Sequence, residues 1–192
     1  MNLLTTAIIL TAACGMATEG PSLDGSELYR CGFELTSDRD YDGWPDGWVR
    51  QRGPGYPHYV RIQESEEPSA EGEQCLRVDL DGGAAAAFSP PIPIDPRYDY
   101  VLEASIKVEG LKHNDAFFSV RFLDEKENVL ETINSAAYRR TDGWTSLRLG
   151  PLRASSSEAL FAVIGIHVQP VDGVDLTGRA MFDDIRFSQI PR

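Results

Sequence analysis

From residue 27 onward the chain is punctuated: short alternating or β-branched runs are divided by clusters of Gly, Pro, Asp and Asn, and no segment carries the period of a long amphipathic helix. A strand sends successive side chains to opposite faces, so short runs of this kind must pair side by side to bury one face. The candidate strands are 27–34, 58–64, 74–80, 84–89, 98–108, 116–124, 129–134, 144–149, 159–169 and 179–189. They predict an all-β, antiparallel sandwich of about 8–10 strands. Alternation is clearest where Tyr100, Leu102, Ala104, Ile106 and Val108 share one phase and Val101, Glu103, Ser105 and Lys107 the other. The run from Phe161 to Ile166 is apolar in both phases, which suits a covered central strand. The segment from Pro90 to Pro96 lacks backbone donors and belongs at a sheet edge or in an extended crossover.

At 192 residues the chain is long enough for one domain with a substantial core. Lys plus Arg number 18 against 30 for Asp plus Glu, a formal net charge of −12. That field repels phosphate backbones and anionic lipid surfaces, so no nucleic-acid partner is expected. Leu3 to Ala13 is an uncharged apolar run followed by small residues, which reads as a secretory leader and is too short to span a bilayer. The expected organisation is a leader over 1–17, a flexible tether over 18–26 and one β-sandwich over 27–190, in a secreted, periplasmic or cell-envelope protein. Two cleavage readings stand side by side. One is a cut near Ala17; the other is a lipoprotein cut before Cys14, whose lipid anchor would be the chain's sole membrane contact. In an oxidising compartment Cys31 and Cys75 can form a disulfide; otherwise they are two buried thiols acting as small hydrophobes.

Three landmarks appear in order: Cys31-Gly32-Phe33-Glu34 before a Trp-rich segment, Asp142-Gly143-Trp144-Thr145 opening a strand, and Met181-Phe182-Asp183-Asp184-Ile185-Arg186-Phe187 near the end. This order resembles the CenC-like carbohydrate-binding modules of the galactose-binding-like group, over roughly 27–189. The resemblance implies a jelly-roll sandwich in which the Gly-Phe-Glu strand lies beside the closing strand. It also implies a structural Ca²⁺ where they meet, with Glu34 and Asp183 as carboxylate ligands. The alternative is that Asp183 and Asp184 merely flank the inward Phe182 and Ile185, one in a turn bond and one solvated.

The stretch from Ser37 to Trp48 spaces acids as a tight loop does when it wraps oxygens around a hard cation. It resembles the calcium loops of thrombospondin type 3 and dockerin-like repeats. Asp38, Asp40 and Asp42 match the first three acidic positions, Gly43 the sharp turn, Trp44 a carbonyl position and Asp46 the later, often water-bridged one. Val49 stands where such a loop has its bidentate acid, and Arg50 follows it, so the site is weak or is completed by another strand. The other reading is an acidic surface turn.

Trp44, Tyr56 and Tyr59 are candidate platforms for stacking on a sugar ring, whereas Trp48 and Trp144 suit the core better. The three histidines lie far apart in sequence and form no metal motif. No nucleophile elbow, phosphate loop or hydrolase signature marks the chain, so a non-catalytic module is expected. Its expected partner is a carbohydrate or, alternatively, an envelope protein. A small glycoside-active enzyme is the third reading.

Overall fold

The structure is a computed structural model that describes residues 25–40, 42–58, 60–171 and 177–192. The expected leader, with Cys14, lies outside the described residues, as does Tyr59. Among the described residues there are twelve strands: β1 Ser26–Cys31, β2 Val49–Arg50, β3 Arg61–Ser65, β4 Cys75–Asp81, β5 Ala85–Phe88, β6 Ile92–Pro93, β7 Asp99–Glu109, β8 Asn114–Leu123, β9 Val129–Asn134, β10 Thr145–Leu152, β11 Phe161–Pro170 and β12 Thr177–Ile190. They form two antiparallel six-stranded sheets. The first runs β10-β7-β12-β4-β3, with β1 also on β12; the second runs β2-β5-β11-β8-β9, with β6 also on β11. Two strands absent from the ten candidates, β2 and β6, are two residues long, and β6, Ile92–Pro93, lies in the Pro-rich segment and borders β11 at Ala162 and Phe161.

The predicted alternation organises the core. Leu102, Ala104, Ile106 and Val108 of β7 join Leu76, Val78 and Leu80 of β4, and Ala180, Phe182, Ile185 and Phe187 of β12, on the inner side of the first sheet. They meet Phe118, Val120 and Phe122 of β8 and Ala162, Ile164, Ile166 and Val168 of β11. Tyr100 and Phe187 stack with centroids 5.3 Å apart, and Phe118 meets Phe182 edge-on at 5.3 Å. Such pairs add to the area term.

The inward phase of β12 changes between Phe182 and Ile185, where the β7 pairing slips between Asp183 and Arg186 and Asp184 takes φ 46°. This β-bulge sits between the first residues of β4 and the last of β1, because Phe182 pairs with Leu76 and Ile185 pairs with Cys31. β1 stops earlier than the sequence suggests, since Phe33 adopts φ 54° and so turns Glu34 out of the ladder.

Cys31 and Cys75 are free thiols, a correction to the disulfide reading. Cys31 belongs to the inner cluster. Cys75 precedes the inward Leu76 and so points to the opposite face, where Asp183, Glu67, Lys107 and Arg77 surround it and burial pushes its thiol up to about 12. Two thiols on opposite faces cannot be bridged without moving backbone.

Phe182→Ala should cost about 3–5 kcal/mol, because the ring is fully buried between the sheets. Urea unfolding of the two proteins measures this directly; a loss under 1 kcal/mol would mean the inter-sheet packing described is wrong.

Candidate functional site

Two regions gather the polar and aromatic chemistry. At one end of the sandwich, the bulge aims Asp183 at the 66–74 loop. Its Oδ2 accepts from the backbone N–H of Ala70 at 2.7 Å and Glu71 at 3.0 Å, and Oδ1 accepts from Asp184 N at 2.7 Å. Burial nevertheless pushes Asp183 up to about 6. Glu34 Oε1 accepts from Glu73 N at 3.0 Å and Gln74 N at 3.3 Å, so both carboxylates clamp one loop from either side of Gly32. A Cβ on Gly72 would come within 2.0 Å of Glu34 Oε1, which is why glycine stands there.

Beside this clamp the acidic loop curls on itself. Asp38 is buried and accepts from Asp42 N at 3.1 Å and Gly43 N at 2.8 Å. Asp38, Asp40 and Asp42 bring ligand oxygens within 4.8 Å of one another. The proton affinity of Asp40 rises through its hydrogen bond to Asp38 and the Asp42 charge. Asp46 lies outside this group: its Oδ2 accepts from Arg39 Nε at 2.5 Å, and that guanidinium meets its charge at the surface. Two residues not singled out from the sequence line the same cleft, Glu64 of β3 and Gln74.

Trp44 packs beside this loop. It is half-buried against the core, and its indole N–H donates to the Trp48 carbonyl at 2.8 Å. Trp48 is buried as expected, 5.4 Å from Phe33, with its N–H donating to Tyr29 Oη at 2.9 Å. Trp144 lies outside the main core cluster, half-buried, donating to the Pro68 carbonyl at 2.8 Å.

The second region is the outer face of the second sheet. Gly165 is flanked in register by Phe88 and Ser119, and His167 by Ala86 and Phe117. The His167 ring stacks on Phe117 at 4.8 Å and meets Phe88 edge-on at 5.4 Å. Its Nε2 lies 2.8 Å from Ser119 Oγ, and its Nδ1 lies 3.3 Å from Gln169 Nε2, which also donates to Tyr56 Oη at 3.2 Å. Arg121 covers the Phe88 ring at 4.0 Å. A Cβ on Gly165 would strike Ser119 Oγ at 2.4 Å and His167 Nε2 at 2.6 Å, so glycine keeps this floor flat. Phe88, Phe117, Tyr56, Arg121 and Gln169 remain half-exposed around it.

The outer face of the first sheet is different. Arg77, Arg179, Glu67 and Asp79 neutralise one another there, as do Arg30, Arg186, Glu71 and Asp184. Such a face is a solvated charge lattice with no apolar plane to offer.

No protein-family model and no curated sequence relative matches the chain. Its architecture is nevertheless shared with solved structures. The xylan-binding CBM22-1 domain of Paenibacillus barcinonensis Xyn10C matches with TM-score 0.58 and 15% identity, over 88% of this chain and 97% of that one. The chain has the jelly-roll fold of these modules. The C-terminal family 22 carbohydrate-binding module of Clostridium thermocellum Xyn10B matches with TM-score 0.51 and 14% identity, over 87% and 96%. The fold also serves elsewhere: a Stig cyclase from Fischerella matches with TM-score 0.56 and 18% identity, over 87% and 98%. The chain spans only 20% of the length of another match, the enzymatically active domain of the bacteriophage CBA120 tailspike protein 4, at TM-score 0.59 and 16% identity.

Burial, and then the Arg121 charge, push the His167 imidazole down from 6.5 to about 4. The folded state therefore holds this histidine neutral, while the unfolded chain protonates it below about 6.5. Its contribution, about 3 kcal/mol, is complete above that pH and is lost as pH falls towards 4. Urea unfolding at pH 7 and pH 4 should show the wild type losing this much relative to His167→Gln. Parallel losses would show that the buried ring is not held neutral.

Proposed function

We propose that this protein is an exported, non-catalytic module that binds a β-linked glycan chain of the xylan type on the outer face of its second sheet, with a structural Ca²⁺ at the end of the sandwich. The observation that carries this reading is the platform of Phe88, Phe117 and Tyr56 around His167, bordered by Arg121 and Gln169. Aromatic planes stack on the C–H faces of pyranose rings, and guanidinium, amide and phenol groups bond the hydroxyls at their rims. A pocket closed on all sides would select a small ligand; an open strand-borne face suits a polymer. Xylan-binding modules among the structural neighbours support the ligand class. Export is supported by the apolar leader from Leu3 to Ala13, with Cys14 as a candidate for lipidation.

Affinity electrophoresis in xylan, cellulose and mannan gels tests the reading. The wild type should be retarded by xylan, and Tyr56→Ala should bind about three- to tenfold more weakly, the worth of one stacking contact. Trp44→Ala should bind like the wild type if it folds. Retardation by none of these polymers, with retention on envelope proteins instead, would replace this reading with the protein-interaction alternative. Release of reducing sugar would show that the module is catalytic.

A further inference from the structure

We propose that Asp38, Asp40 and Asp42, Glu64 and the side-chain carbonyl of Gln74 form one Ca²⁺ site between the acidic loop and the edge of the first sheet. Glu64 replaces the bidentate acid that the loop lacks at Val49. The inference rests on the calcium component of the proposed function and is independent of the glycan.

The geometry begins with the phase of β3. Ile62 pairs with Val78 and Glu64 with Leu76, both inward residues of β4, so Glu64 occupies a core-facing position. A carboxylate there needs a partner. Its Oε1 is buried without a hydrogen-bond partner among the described residues, and so is Gln74 Oε1, on a side chain only 8% exposed. Both residues line the cleft that Asp38 and Gly43 line from the other side, and no Lys or Arg is among its lining residues. Two buried acceptors, Glu64 Oε1 and Gln74 Oε1, thus line the cleft beside the acidic cluster with no hydrogen-bond donor of their own among the described residues. The charge is unbalanced as well: three carboxylates, Asp38, Glu64 and Glu66, line the cleft with no cationic side chain among its lining residues.

A hard divalent cation resolves both deficits. Four carboxylates and an amide carbonyl supply only oxygens, and carboxylates that chelate through one or two atoms let the count reach the six to eight that Ca²⁺ takes. Mg²⁺ demands a tighter octahedron and keeps its water, so it fits a site of mixed loop and strand ligands less well. The Glu34–Asp183 pair contrasts with Glu64 and Gln74, since Glu34 Oε1 and both Asp183 oxygens accept backbone N–H groups.

The test uses the full mature chain stripped with EDTA, with CaCl₂ added, read by calorimetric titration and by thermal melting. One equivalent of Ca²⁺ should bind, and at about a hundredfold excess over Kd should raise Tm by roughly 5–10 °C. Glu64→Gln should weaken Ca²⁺ binding at least about tenfold and abolish the Tm rise. Without calcium, Glu64→Gln should melt at or above the wild type, because it removes an uncompensated buried charge. Asp183→Asn should keep the Ca²⁺ affinity. The opposite pattern, binding kept in Glu64→Gln and lost in Asp183→Asn, would place the ion at the Glu34–Asp183 pair and overturn the assignment while calcium itself stands. No Ca²⁺ binding by the wild type would overturn both, leaving the glycan reading to its own test.

Discussion

The Asp183 carboxylate, fully buried at the β12 bulge, is the constraint on which this end of the molecule depends. Without the bulge, the inward phase of Phe182 would make the next inward residue Asp184, and Ile185 and Phe187 would face water. With it, Asp183 is free to collect three N–H groups, one from Asp184 and two from the 66–74 loop. That loop carries Gln74 into β4, and Glu34 holds its far end. The clamp therefore fixes the β1 to β12 closure.

From this frame the two outer faces acquire opposite characters. Ion pairs across β4, β7 and β12 satisfy the first sheet's surface from within. The second sheet has no such lattice in the middle of its outer face. It places aromatic rings on neighbouring strands around a histidine that burial keeps neutral, and neutrality preserves the ring's hydrogen bonds to Ser119 and Gln169. Platform rigidity thus follows from desolvation, and the half-exposed rim is the part of the face open to the proposed glycan.

Much of the sandwich was legible because β7, β8, β11 and β12 carry clear alternation or continuous apolar runs. The Phe-Asp-Asp-Ile landmark lies in a strand that pairs with β1, whereas the Gly-Phe-Glu landmark follows β1, whose last paired residue is Cys31. The site was less legible, for physical reasons. His167, Phe88 and Phe117 come from three strands whose register is a tertiary property, so nothing local joins them. Trp44 looked like a surface ring because it neighbours Pro45 in a loop, yet that loop folds back and buries Pro45. Glu64 did leave a signal: a carboxylate in phase with Ile62 breaks the inward pattern of its strand. Cys31 and Cys75 could not be assigned to opposite faces until the end of β4 was placed against β12.

The central claim, that the outer face of the second sheet is the glycan-binding surface, is tested most directly by titrating isotopically labelled protein with xylohexaose and mapping the shifted resonances. The account predicts saturable shifts centred on Tyr56, Phe88, Phe117, Arg121 and Gln169, with the surface around Arg77 and Arg179 unmoved. Shifts confined to the first sheet's outer face, or no shifts at millimolar sugar, would contradict it.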